Sequence, residues 1–298
     1  AAAAATAPTT AEKTAPLGMM YHFDDMSDVE FTHKRKETTC GARQALKCGL
    51  HGAADLIGGG QENILIDVGL GNADSNSTLD ELMLRIVQSS KGEDVYVGVL
   101  DGGSHGANQW VATIFPHLLV SYGFFKAAII VYYAKRHGRG AGDQGFSAYA
   151  LMFKEASMFT VDCAAHVVQR RTKSTATIFN PLSATIYHDA LSARFAKMPS
   201  QFQFQKRQCL VYGCVTAETL PQIRDEGLRL YLRTFLHPSQ KPGFVGCFRS
   251  PDEEIVFYPV LKPKPTHEPL KHRAEARVNV SAKANNPYRK ASAAAVIV

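Results

Sequence analysis

The run Asp67-Val68-Gly69-Leu70-Gly71-Asn72 closes a short apolar stretch with an acidic side chain and two glycines, a turn that lets the backbone approach a ligand closely. A second concentration of polar chemistry is Lys135-Arg136-His137-Gly138-Arg139-Gly140, a basic turn of the kind that complements the dipole at a helix C-terminus. The six cysteines, Cys40, Cys48, Cys163, Cys209, Cys214 and Cys247, form no CxxC pair and no zinc spacing. They are therefore expected to be reduced thiols in a reducing, intracellular compartment, with no metal site. From Leu261 onward the chain carries eight Lys or Arg and two acids, which accounts for the whole net charge of +6 and leaves the body neutral. Such a basic, Pro- and Ala-rich arm suits contact with RNA, DNA or an acidic protein surface, because each neutralised phosphate releases counterions; a solvated tail has the same composition.

The elements that must position these residues follow from composition and periodicity. With 298 residues, 45% apolar and 20% charged, the chain can build a sizeable core, and disordered, collagenous, coiled-coil and disulfide-scaffold classes are excluded. The longest apolar stretch, Val111 to Tyr133, is interrupted by Pro116, His117 and Lys126, so it reads as core and no membrane span is expected. The opening AAAAATAPTTAEKTAP reads as a low-complexity tail and not as a signal peptide. Residues 42–60 read as a helix ending at three glycines, NILIDVGLG as a strand, Leu79 to Val87 as an amphipathic helix, and DVYVGVL as a strand. From Gln109 to Ala134 the pattern is helical, with a break near Pro116 or Gly123. Helices follow after Asp143 and Thr160, strands at Thr175 to Phe179, Cys209 to Val215 and Ile255 to Val260, and a helix at Thr219 to Gly227.

Over about residues 118–262 these elements carry motifs in an order that resembles the NAD-dependent RNA 2′-phosphotransferase family. The motifs are Arg136-His137 after an apolar segment, Asp143-Gln144-Gly145-Phe146, and Val167-Val168 ahead of Lys173 and Phe179. They continue with Val211-Tyr212-Gly213-Cys214, Ile223 to Leu228, Arg233 through His237-Pro238-Ser239, and Gly246-Cys247-Phe248-Arg249 before Glu254-Ile255. The resemblance implies an α+β fold with two lobes: a small helical or winged lobe and an ADP-ribosyltransferase-like β lobe. It implies NAD as cofactor, with Arg136, His137 and Arg249 handling phosphate. Tyr212, Gly213, Arg233, His237 and Ser239 would then line the NAD cleft. Arginine suits such a site because its planar fork gives two directed hydrogen bonds. Two positions depart from the family: Tyr212 stands where its strand histidine is, and no arginine falls in Ala184 to Ser192. The expectation is accordingly a catalytically degenerate relative serving as an RNA-binding or structural component.

That reading divides the chain into a tail (1–20), an α/β segment of unassigned role (21–115), the helical or winged lobe (116–200), the ADP-ribosyltransferase-like lobe (201–262) and a basic tail (263–298). The residues singled out have plainer roles open to them: Arg136 and His137 as a helix terminus, Arg233 and Arg249 as surface ion pairs, His237 as a loop residue, Tyr212 as a packed strand residue. The arms order best against partners, so a place in a larger assembly is expected, a viral particle or a ribonucleoprotein. Two further functions stay open. One is an active NAD-dependent 2′-phosphotransferase. The other is a methyltransferase using S-adenosylmethionine, since the turn with Asp67, Gly69 and Gly71 is similar to the acidic-Gly-x-Gly turn of those enzymes.

Overall fold

The computed structural model describes residues 16–30, 47–67, 75–100, 108–133, 141–171, 173–180, 185–197, 210–250, 252–264 and 271–272. Arg136, His137, Gly69, Gly71, Cys40, Cys209 and most of both tails lie outside the described residues.

Helices and strands are mixed, as an α+β chain requires. The strands are β1 (Gly18–Glu30), β2 (Lys47–Asp55), β3 (Gly60–Asp67), β4 (Val95–Leu100), β5 (Ala127–Tyr132), β6 (Ser174–Phe179), β7 (Thr185–Ile186), β8 (Leu210–Val215), β9 (Phe244–Phe248), β10 (Val256–Pro259) and β11 (Lys271–His272). Nine of them form one sheet in the order β10-β9-β8-β5-β4-β1-β2-β3-β6, while β7 pairs with β11. β1, β4 and β5 are parallel neighbours, β3 and β6 are parallel, and the remaining pairs are antiparallel. The helices are α1 (Ser75–Ser89), α2 (Phe115–Ser121), α3 (Ala141–Glu155), α4 (Val161–Gln169), α5 (His188–Arg194) and α6 (Glu226–Leu232). A turn of π-helix, Trp110–Ile114, runs directly into α2. The sheet takes strands from the segments 21–115, 116–200 and 201–262 alike, and β5 and β8 pair along their whole length.

Strand alternation divides the core between the two faces of the sheet. Ala128, Ile130 and Tyr132 of β5 pack with α1, α2 and α5, whereas Ala127 and Ile129 face the other way, toward Leu220, Ile223, Leu232 and Phe235. α3 and α4 cover this second face farther along, over Cys48, Leu50 and Leu65. The result is three layers, helices on both sides of the sheet. The placement follows from chain direction: the crossovers β3-α1-β4 and β4-α2-β5 advance toward β8 and the crossover through α3 and α4 returns to β6. Right-handed crossovers in opposite directions must use opposite faces.

Three sequence expectations fail here for physical reasons. Lys47–Asp55, expected as helix, is strand β2, because β1 and β3 flank it and bury Cys48, Leu50 and Ala53 on alternating faces. Ala127–Tyr132, expected as helix, is β5, a strand buried on both faces, and such strands lack the alternation that would mark them. The helix expected at Thr219 to Gly227 is a 3-10 turn, Leu220–Gln222, followed by α6, which Asp225 opens by accepting from Leu228 N at 2.7 Å.

One buried ion cluster ties the sheet to this outer layer. Asp94, only 1% exposed, accepts from Lys126 Nζ at 2.6 Å and from Arg224 Nε at 2.9 Å, and also from the Arg224 backbone N at 2.8 Å. Burial pushes the Asp94 carboxyl upward, but the hydrogen bonds from Lys126 and Arg224 outweigh it and hold the group below its ordinary value. On α2, His117 is buried against Phe195, with Ser121 Oγ 3.1 Å from Nε2; burial and nearby Arg194 depress it to about 4.

Asp94→Asn should lower unfolding stability by about 3 kcal/mol in urea titrations, because Lys126 and Arg224 then lose a buried counter-charge. The neutral His117 predicts a separate acid limb. Its folded value lies below the ordinary 6.5, so stability is complete above that pH and falls by roughly 3 kcal/mol as pH drops toward 4; His117→Phe should flatten this limb in thermal melts.

Candidate functional site

In an open α/β sheet the ligand crevice lies outside the carboxyl ends of parallel strands, where consecutive crossovers leave toward opposite faces. Here that point is between β4 and β5: the chain leaves β4 toward the α2 face and leaves β5 toward the α3 face. The described residues at its mouth are Leu100, Tyr132 and Tyr133, with Tyr133 N donating to Leu100 O at 3.0 Å. His22, buried on β1, meets the Tyr133 ring edge to face at 5.9 Å. At the start of the π-helical turn Asn108 Oδ1 accepts from Trp110 N at 2.9 Å and Val111 N at 3.2 Å, satisfying two of the donors a helix start leaves open. Residues 101–107 and 134–140, which follow β4 and β5, lie outside the described residues, so the positions of Arg136 and His137 are not part of this geometry.

β1, β2 and β3 rise beyond the end of β4. His22 pairs with Val99, so Phe23 stands level with the last residue of β4, and His51 on β2 faces Asp25, two residues farther out. Above this wall lies α1. Its apolar stripe of Leu79, Leu82 and Ile86 seals the sheet, and the same helix lowers two charged side chains into the interface. Glu81, 5% exposed, accepts from His51 Nδ1 at 2.7 Å, and Arg85, 3% exposed, donates to His51 O and Glu62 O, each at 2.8 Å. Glu62 in turn accepts from Tyr21 at 2.6 Å and from Ser89; burial first, then Glu62, raises the Tyr21 hydroxyl well above its ordinary value. Tyr187 donates to Asp80 on the adjoining turn of α1.

None of His51, Glu81 and Arg85 stands out in the sequence. His51 sits in a stretch whose composition reads as helix, and Glu81 and Arg85 have the spacing of an ordinary surface pair. Only the pairing of β1 with β2 beneath α1 brings them together.

The residues implied by the resemblance are distributed differently. Tyr212 is fully buried on the α2 face, edge to face with Tyr132 at 5.8 Å and across the strand pair from Cys247; burial first, then Cys247 and Tyr132, raises its hydroxyl far above the ordinary value. Gly213 faces the opposite side, where a Cβ would come within 2.3 Å of Phe235, so only glycine lets the 3-10 turn Arg233–Phe235 close on the sheet. Arg233 is exposed on that second face, in an open pocket of about 350 Å³ shared with Leu220, Pro221, Glu226, Arg229 and Leu230. His237 stacks on Phe244 at 3.9 Å and shares a 2.7 Å hydrogen bond through Nδ1 with Ser239 Oγ. Arg249 is exposed past the end of β9, its backbone N donating to Glu253 at 3.3 Å. Thus His237 and Ser239 are joined on the Phe235 side, while the Tyr212 ring is sealed on the other side of the sheet from Arg233.

Among the described residues no group of three or more His, Cys, Asp and Glu is arranged to hold a metal ion, and no helix is long and apolar enough to cross a membrane. Cys48, Cys163, Cys214 and Cys247 form no disulfide; burial raises Cys214 and Cys247 to about 12. A comparison with protein-family models, curated proteins and solved structures finds no match to this chain.

The Tyr212 environment makes a direct prediction. Tyr212→Phe should change stability by less than about 1.5 kcal/mol, as a near-isosteric core swap, whereas Tyr212→Ala should cost about 3 to 5 kcal/mol in denaturant unfolding.

Proposed function

We propose that this chain is a nucleotide-cofactor transferase domain that binds an adenosine-bearing cofactor outside the carboxyl ends of β4 and β5 and transfers a group from it to RNA. The observation that supports this reading is the reversal of crossover direction between those two strands, the position at which open α/β sheets commonly bind a ligand. Both cofactors raised by the sequence, NAD and S-adenosylmethionine, belong to this class. The basic arm from Leu261 onward supports a polyanionic acceptor.

A second reading has its own support. The two-lobed, 2′-phosphotransferase-like scaffold, catalytically degenerate and kept as an RNA-binding or structural component of a larger assembly, accords with a Tyr212 ring packed in the core on the other side of the sheet from Arg233. In that form NAD binding is lost while contact with RNA or an acidic protein surface is retained.

Calorimetric titration of the full chain with NAD and with S-adenosylmethionine separates the two. Binding of either supports the transferase, and no heat with either at millimolar concentration removes it. For the RNA contact, deleting residues 263–298 should flatten the salt dependence of RNA affinity, and an unchanged slope discards the basic arm as the contact.

A further inference from the structure

We infer that the outer face of α6 binds a second copy of this chain, the two α6 helices lying antiparallel about a two-fold axis. The face is built wholly from described residues. A groove of about 350 Å³ runs between the 3-10 turn Leu220–Gln222 and α6, lined by Leu220, Pro221, Glu226, Arg229, Leu230 and Arg233. Glu226, Leu230 and Arg233 follow one another at steps of four and three residues, so they share one side of the helix and of its 3-10 continuation, Arg233–Phe235. The inner side is packed: Leu232 and Phe235 are buried against the sheet. On the outer side Leu230 is 67% exposed and the neighbouring Tyr231 45%. Two large side chains left open side by side, next to a groove walled by leucine and proline, are what the apolar centre of an interface completes.

The charges decide what the occupant is. Acids stand at the start of α6, Asp225 and Glu226, and cations toward its end, Arg229 and Arg233. Among the described residues Glu226 and Arg233 form no ion pair, and Arg229 reaches only Ile223 O, at 3.4 Å. An acidic segment laid along the groove would meet Glu226, and a basic one would meet Arg229 and Arg233. A second α6 running antiparallel avoids both conflicts: its acidic end lies over the basic end of the first, and the two-fold axis repeats the match. Such a contact needs a self-complementary patch with an apolar centre, and Leu230 lies between Glu226 and Arg233. The leucine of each copy seats in the groove of the other. The apolar centre supplies the affinity and the rim charges set the orientation, because exposed ion pairs contribute little by themselves. With only seven residues in α6, the contact belongs to the small, transient class of interfaces.

Sedimentation velocity of the full chain from about 5 to about 500 µM tests this over the range in which small interfaces dissociate. The mean mass should rise from monomer toward dimer. Leu230→Ser, at an exposed position, should hold it at monomer with an unchanged circular dichroism spectrum. Glu226→Arg sets like charges against each other at both ends of the contact, and so does Arg233→Glu; each variant alone should weaken the dimer about tenfold or more. An equimolar mixture of these two variants should recover it, because the wholly basic α6 of one then meets the largely acidic α6 of the other. Mixing cannot repair a damaged helix, so recovery reports the contact itself. A chain that stays monomeric throughout, a dimer that ignores the three substitutions, or two charge variants that fail to associate on mixing overturns the assignment.

Discussion

A single carboxylate at the amino-terminal end of the parallel strands holds several separate chain segments together. Asp94 opens β4, Lys126 precedes β5, and Arg224 belongs to the connection ahead of α6, while the Arg224 guanidinium also donates to Pro16 O at the entrance to β1. With the carboxylate 1% exposed, its desolvation is offset only while both cations and the backbone N–H are in place. This end of the sheet is therefore rigid and fully engaged. At the opposite end β4 stops short of β1, β2 and β3.

The two faces solve different packing problems. On the α1 and α2 face, large aromatic side chains meet one another: Tyr96 lies edge to face with Phe115 at 5.7 Å and Tyr132 with Tyr212 at 5.8 Å. On the other face Gly213 and Gly246 leave a hollow that Phe235 fills, and Phe235 stacks on Phe248 at 5.6 Å. The same alternation that builds these layers puts Tyr212 and Arg233 on opposite sides of the sheet. Motifs that follow one another in a sequence share a cleft only when strand parity agrees, and at β8 it does not.

Much of the secondary structure was legible. β3, β4, β6, β8 and β10, together with α1, α3 and α4, lie where apolar period and caps put them; Thr160, for example, accepts from Cys163 N at 3.3 Å and opens α4. β2 and β5 were not legible. Ala, Gly and Leu around His51 have little strand preference of their own, and the apolar run of β5 is equally a buried helix until its neighbours are known. Missing β2 also concealed His51, because its partner Glu81 is brought to it by strand pairing and not by spacing along the chain.

By itself the amino-acid sequence determined which stretches are apolar enough to be buried, where several helices begin, and that the excess positive charge belongs to the carboxy-terminal arm. These are local properties, set by side-chain transfer energies, backbone capping and charge count. The tertiary structure alone decided the strand order, the faces on which the helices pack, the burial of Tyr212 and the meeting of His51 with Glu81. Those depend on contacts between residues far apart in the chain, whose energies exist only once the sheet has brought them within hydrogen-bonding and van der Waals range.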